Sequence, residues 1–283
     1  MRTSLAVLFL AIAAVALPNQ ARATLLINDN LSTFASGNLV GQNGWNQLGA
    51  VVNTLPLQVT GGKVVIPGAQ TIDNQDAWKN LSTAISPPAS GTTSIFYGLD
   101  LTVNSAPVVS AAGPITSPSY FAAIYNGANA GGFANERLTA QDNSANIAGT
   151  YFVAARITGQ AGNPFTVGTT PLNYNTQYNV VVEEDMIAPT ANNDTLEVFV
   201  NGALYLSQNI GTGSDPTGQA SFVISQFASS TVGNVGAMIG AVRVADNYAQ
   251  AATGVPEPST LVLGSVAALG LISVARRSSR KAM

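Results

Sequence analysis

Apolar and polar residues alternate with a period of two along much of the chain between residues 24 and 254. The clearest run is 94–104, where Ile95, Tyr97, Leu99, Leu101 and Val103 fall on one face. Residues 150–157 place Tyr151, Val153, Ala155 and Ile157 together; 177–185 carry Tyr178, Val180 and Val182; 195–201 carry Leu196, Val198 and Val200. An apolar side chain at every second position is the pattern of a strand with one side buried. Weaker runs of the same kind lie at 24–29, 57–60, 63–67, 120–126, 220–228 and 235–245. No stretch of this region has a helical apolar period. Asn201-Gly202, between two such runs, predicts a two-residue hairpin whose central residues need positive φ. Pro and Gly clusters at 86–91, 105–118 and 211–218 read as loops, the second of them long enough for a surface flap. About a dozen short strands predict an all-β fold, an antiparallel two-sheet sandwich of the jelly-roll kind, in one domain over 24–245. Residues 246–254 read as a linker.

The two ends depart from this pattern. Met1-Arg2 is followed by an apolar run over 5–17 and by Ala21-Arg22-Ala23. A basic start, a short apolar stretch and an A-x-A site describe a secretory signal peptide over 1–23, cut by signal peptidase to leave Thr24 first. At the other end Val255-Pro256-Glu257-Pro258-Ser259 precedes an uncharged run over 260–275, and Arg276, Arg277, Arg280 and Lys281 follow it. Two prolines fix φ and remove two backbone donors, so 255–259 cannot enter a helix interior or a central strand. As a helix, 260–275 is roughly 24 Å long at 1.5 Å per residue, slightly short of a ~30 Å hydrocarbon core. Snorkelling arginines cover the difference and keep the basic end in the cytoplasm. The order Pro-Glu-Pro, hydrophobic helix, basic stop over 255–283 resembles the PEP-CTERM sorting tag of exported bacterial proteins. That resemblance implies an exosortase-type processing enzyme as partner, a transient inner-membrane anchor, and final placement at the cell surface or in the extracellular matrix. None of the tag residues is then catalytic.

Charge changes the picture of the region between. The whole chain carries −3. Once both end segments are set aside, thirteen acids stand against Lys63, Lys79, Arg137, Arg156 and Arg243, so the body alone carries −8. That balance disfavours nucleic acid, which needs a basic patch to displace counterions from phosphates. The chain has no cysteine and no histidine. It therefore has no disulfides, no Cys-His or Ser-His-Asp triad, and no zinc site of the usual kinds. No cofactor is expected. A metal, if bound, is a hard cation such as calcium, with Asn192-Asn193-Asp194, Asp142-Asn143 and Asp215 the nearest oxygen clusters.

Tyr178-Asn179-Val180-Val181-Val182-Glu183-Glu184-Asp185, followed after an interval by 194–202 ending in Val200-Asn201-Gly202, resembles paired strands of concanavalin A-like and laminin-G-like domains. The last strand at 239–246 and the opening stretch at 38–45 are similar to theirs as well. The resemblance implies a lectin-like sandwich that contacts extracellular polysaccharide without catalysis. Sugars take aromatic platforms with a few placed polar groups. The expected contacts are Trp45, beside the Asn43-Gly44 turn, and Trp78, with Tyr120, Tyr125 and Tyr174 behind them. Two alternatives stand beside this reading. One is a glycoside hydrolase using Glu183 and Asp185, which share a strand face; the resemblance to β-glucanases of this fold implies a third acid next along that strand, and none stands there. The other is a ligand-free, self-assembling envelope protein.

Overall fold

The computed structural model describes residues 24–48, 55–68, 75–107, 120–131, 134–143, 145–157, 165–188, 193–209, 218–226 and 235–254. The strands in chain order are β1 (Leu25–Asn30), β2 (Gly37–Asn38), β3 (Asn46–Leu48), β4 (Gln58–Thr60), β5 (Lys63–Ile66), β6 (Asp76–Ile85), β7 (Gly91–Ser105), β8 (Ala122–Tyr125) and β9 (Ala134–Asp142). They continue with β10 (Thr150–Ile157), β11 (Thr166–Val167), β12 (Leu172–Asn173), β13 (Gln177–Ala188), β14 (Thr195–Val200), β15 (Ala203–Asn209), β16 (Gln219–Ile224) and β17 (Gly236–Ala245). A nine-stranded sheet runs β15-β14-β13-β7-β17-β5-β4-β2, with β1 also on β17. An eight-stranded sheet runs β11-β10-β9-β8-β16-β6-β3, with β12 also on β10. The ladders are antiparallel, and their inward faces share one apolar core. The chain is thus an all-β two-sheet sandwich. Both sheets lie within Leu25–Gly254, which forms one compact unit.

The predicted strands fall where the alternation put them. Ile95, Tyr97, Leu99, Leu101 and Val103 of β7 are all interior. Asn201 and Gly202 close the β14–β15 hairpin with φ of 51° and 84°, as a turn with two left-handed positions requires. Two long strands, β6 and β9, carry no clear alternation in the sequence. Their inward positions include Glu136 on β9 and only a few apolar residues on β6, such as Ala77 and Leu81, so the period is interrupted where it is read.

Residues 246–254 are not a free linker. They contain the helix α1 (Tyr248–Thr253), capped by the Asn247 side chain, which accepts from the Gln250 amide at 3.0 Å. Gly254 ends it at φ 69°. The helix lies on the outer face of the nine-stranded sheet, with Ala251 buried against Phe96, Val181 and Ala245. Tyr248 meets Phe96 and Phe199 edge-on at 6.3 and 5.1 Å. Gly98 makes this possible: a Cβ there would stand 1.9 Å from the Ala251 carbonyl oxygen. Among the described residues no helix is long and apolar enough to cross a membrane. The signal peptide, the sorting motif from Val255 to Ser259, the 260–275 segment and the basic residues Arg276 to Lys281 lie outside the described residues.

Two buried polar clusters join the sheets. Asp29 of β1 is sealed, and its carboxylate accepts from Trp45 Nε1 at 2.8 Å, from Asn43 Nδ2 at 2.7 Å and from Lys79 Nζ of β6 at 2.9 Å. A desolvated carboxylate held by three donors is satisfied only while all of them stay in place. Asp29→Ala is expected to cost about 3 kcal/mol in urea unfolding, since Trp45 Nε1 and Lys79 lose their acceptor together. A loss below about 1 kcal/mol contradicts this.

The second cluster is Glu136 of β9 and Glu184 of β13, both fully buried between the sheets. Gln219 donates to Glu184 through Nε2. Neither Glu136 oxygen receives a donor from elsewhere among the described residues. Two like charges placed near each other in this buried space disfavour joint ionisation, which favours a proton on Glu136. Burial and then Glu184 push Glu136 well above the ordinary carboxylate range; burial also raises Glu184, with Asp194 and Asp185 adding to it. A carboxyl raised by folding keeps its proton in the fold and loses it in the unfolded chain. Its contribution is complete below the ordinary value of 4.5 and declines as pH rises toward the folded value. Unfolding free energy should fall between pH 5 and 7 by up to ~1.4 kcal/mol per pH unit for each retained proton. Glu136→Gln should flatten that decline. A stability independent of pH over this window contradicts the retained proton.

Candidate functional site

The outer face of the eight-stranded sheet collects the aromatic and basic residues. On β9, Glu136, Leu138 and Ala140 face the core, so Arg137, Thr139 and Gln141 face outward. On β10, Tyr151, Val153, Ala155 and Ile157 are interior and Arg156 is outward. The same parity turns Ala123 and Tyr125 of β8, Val223 of β16 and Trp78 of β6 outward, where they pack together with Tyr120.

Register aligns these positions across the sheet. Arg156 stands opposite Arg137, Arg137 opposite Ala123, Ala123 opposite Val223, Val223 opposite Trp78, and Trp78 opposite Asn46. Two arginines therefore lie at one end of a transverse row and a tryptophan at the other, with small residues between. Four strand spacings of about 4.8 Å put roughly 19 Å between those ends.

The row is held from several sides. The Trp78 indole is half-buried against Leu48 and Val223, and its Nε1 donates to the Gln47 carbonyl at 2.9 Å. The Tyr120 and Tyr125 hydroxyls share a hydrogen bond of 3.0 Å. Burial, followed by Tyr125, raises the Tyr120 phenol, so it stays a neutral donor. The Arg137 guanidinium lies 4.9 Å over the Tyr120 ring, and that of Arg156 lies 4.8 Å over Phe165. Burial and then Arg137 push Arg156 down to about 10. The row thus carries the Trp78 indole at one end and guanidinium groups at the other, with the buried Tyr120–Tyr125 pair packed against it; an aromatic edge with placed polar groups is the chemistry of a polyhydroxylated ligand.

The expected sugar contacts divide. Trp78 is on this face. Trp45 is not: it is 1 % exposed, packs edge-on against Phe222 at 6.4 Å in the core, and spends its N–H on Asp29. The Asn43-Gly44 turn directs Trp45 inward instead of to a rim. Tyr120 and Tyr125 belong to the face, whereas Tyr174 stacks on Tyr151 at 5.1 Å and donates to Asp142 at 2.6 Å. Arg137, Arg156 and Phe165 were absent from the sequence-based expectation. The signal available was the shortage of cations in an acidic body, which makes each one worth placing.

Glu183 and Asp185 do share a face, the outer one of the nine-stranded sheet, while Glu184 between them points into the core. A third acid comes from the neighbouring strand, since Glu197 of β14 stands opposite Glu183. Burial, with Asp185 and Glu197 adding to it, pushes Glu183 up to about 7. Asp185 accepts from Ser94 and from Thr195, which ties β13 to its neighbours on both sides.

The oxygen clusters considered for calcium serve the fold. Asp194 is buried and accepts from the Ile187 amide at 2.7 Å; Asp142 accepts from Tyr174; Asn143 donates to Thr150 at 3.0 Å. Asn192 and Asp215 lie outside the described residues. Among the described residues no group of three or more acidic side chains is placed to hold a metal ion.

No family model matches this chain, and no curated protein matches it. Among solved structures it is similar to the carbohydrate recognition domain of Emp47p, at 7 % identity and TM-score 0.42, covering 81 % of this chain and 99 % of that one. It is similar to a mutant of the alginate lyase Aly36B in complex with alginate trisaccharide, at 11 % identity and TM-score 0.46, covering 78 % and 98 %. It is also similar to peanut lectin, at 11 % identity and TM-score 0.38, covering 80 % and 98 %. These are likenesses of two-sheet architecture, and no residue role passes from them to this chain.

Proposed function

We propose that this chain is an exported bacterial surface or matrix protein whose lectin-like sandwich contacts polysaccharide through the outer face of its eight-stranded sheet. The observation that carries the reading is the single transverse row from Arg156 and Arg137 to Trp78. An aromatic edge and planar donors in register along one line suit an extended chain of sugars better than a compact ligand. The A-x-A site before Thr24 and the PEP-CTERM-like tag support export and processing. The resemblance to concanavalin A-like and laminin-G-like domains supports a non-catalytic role, as does the engagement of Asp185 by Ser94 and Thr195.

The test is retention of residues 24–254 on a panel of bacterial polysaccharides, with calcium or with chelator, assaying the same wells for released sugar. Binding without release is expected. Trp78→Ala should weaken it about tenfold or more, and Glu183→Gln should leave it unchanged. Sugar release that disappears in Glu183→Gln would establish the hydrolase reading instead. Neither binding nor release would leave the self-assembling envelope protein.

Processing has its own test. In a host with an exosortase, the mature protein should begin at Thr24 and lack 260–275 by mass spectrometry. Replacing Pro256, Glu257 and Pro258 by alanine should hold the chain uncleaved in the inner membrane. Unchanged release of that variant would refute the sorting role.

A further inference from the structure

We propose that Tyr97, Glu136, Glu184 and Gln219 form an interior site for a hard divalent cation of about calcium's size, held between the two sheets and apart from the sugar-contacting face. The four side chains come from four strands: Tyr97 from β7 and Glu184 from β13 in the nine-stranded sheet, Glu136 from β9 and Gln219 from β16 in the eight-stranded one. None is more than 1 % exposed. Glu184 stands opposite Ile95, so Tyr97 is its diagonal neighbour on the inward face of that ladder. Gln219 reaches Glu184 from the other sheet and donates to it through Nε2. Glu136 lies beside Glu184, and burial, then Glu136 and Glu184, push the Tyr97 phenol up. Phe222, on the strand of Gln219, packs on the Tyr97 ring at 5.3 Å and stands opposite Ile124, which in turn stands opposite Glu136.

The cluster is rich in acceptors and poor in positive charge. Both Glu136 oxygens, Glu184 Oε1, Gln219 Oε1 and the Tyr97 hydroxyl are buried with no hydrogen-bond partner among the described residues. Buried polar atoms are as a rule satisfied by protein, water or an ion. No basic side chain of the body serves this cluster. Lys79 is paired with Asp29 and Arg243 with Asp100, Lys63 donates to Gln177, and Arg137 and Arg156 are on the outer face of the eight-stranded sheet. A proton on Glu136 removes one negative charge and leaves the remaining oxygens without donors. A divalent cation balances both carboxylates and takes the Gln219 amide oxygen and the Tyr97 phenol oxygen as neutral ligands. An all-oxygen set selects a hard ion. Calcium accepts such oxygens in irregular geometry, whereas magnesium demands a near-ideal octahedron and keeps its water. Ion and proton are alternatives at the same carboxylates, so the decline of stability above pH 5 belongs to the protein in chelator. The ion would tie β7 and β13 to β9 and β16, in a chain that has no disulfide to do so.

Because the site is interior, the test refolds residues 24–254 from urea at neutral pH, in chelator or with calcium, magnesium, sodium or potassium as the sole added metal. Wild type refolded with calcium should carry one calcium per chain through gel filtration, read by atomic emission. Calcium at about 100 times its dissociation constant should raise the thermal midpoint by about 5 °C or more over chelator. Glu136→Gln should lose both the bound calcium and the shift, while melting in chelator at or above wild type because a like-charge contact is gone; this separates lost binding from lost folding. Tyr97→Phe, which removes only the phenol oxygen, should weaken calcium severalfold. Calcium retained equally by wild type and Glu136→Gln places the ion elsewhere and overturns the site. No metal retained and no shift with any of the four ions overturns it too, and leaves the proton alone at the cluster. A shift with sodium or potassium but not calcium, abolished by Glu136→Gln, overturns the divalent charge, and a larger response to magnesium than to calcium overturns the size.

Discussion

Where β9 sets Glu136 against the core it must set Arg137 on the outer face, because successive strand residues face opposite ways. That constraint governs the rest of the molecule. A slip of one residue in register would turn two arginines into the core and expose Leu138, Ala140 and Tyr151. The same parity brings Glu136 and Glu184 together across the gap between the sheets and turns Glu183 and Asp185 away from it. A chain without disulfides depends on this sorting of faces to hold its fold, and the exceptions to it are few. Asp29 with its three donors and the Glu136–Glu184 pair are polar groups inside an apolar core, each at a point where the two sheets are joined.

The outward faces differ in what they offer. On the nine-stranded sheet, α1 covers Phe96 and Val181, and the acids Glu183, Asp185 and Glu197 stand beyond it. On the eight-stranded sheet, a row across five strands carries two arginines at one end and a tryptophan at the other, with Ala123 and Val223 between. The contrast comes from which side chain each strand carries at one transverse level, not from a loop, so the site is carried by the rigid part of the fold. Regular strands place side chains more reproducibly than loops do, which suits recognition of a repeating polymer.

Much of the architecture was legible in the sequence. The alternations in β7, β10, β13 and β14 and the Asn201-Gly202 turn are local signals, and local geometry preserved them. The six-residue helix was not legible, because its apolar contact depends on Gly98, far away in sequence, allowing close approach. β6 and β9 were missed for a related reason: Glu136 and Lys79 occupy core-side or buried-edge positions where an apolar residue was expected, and their partners Glu184 and Asp29 come from other strands. The site suffered most from this, since Trp78 and Arg137 sit on those two strands. Trp45 was misplaced because a turn residue beside it reads as surface, whereas the buried carboxylate that draws its indole inward lies 16 residues away.

The central claim is that polysaccharide lies along the outer face of the eight-stranded sheet, across Trp78. A crystal structure of residues 24–254 with an oligosaccharide from a polymer the protein retains tests it most directly. The account predicts a sugar ring against Trp78. A glycan bound beside Glu183 and Asp185, away from the eight-stranded sheet, would contradict it.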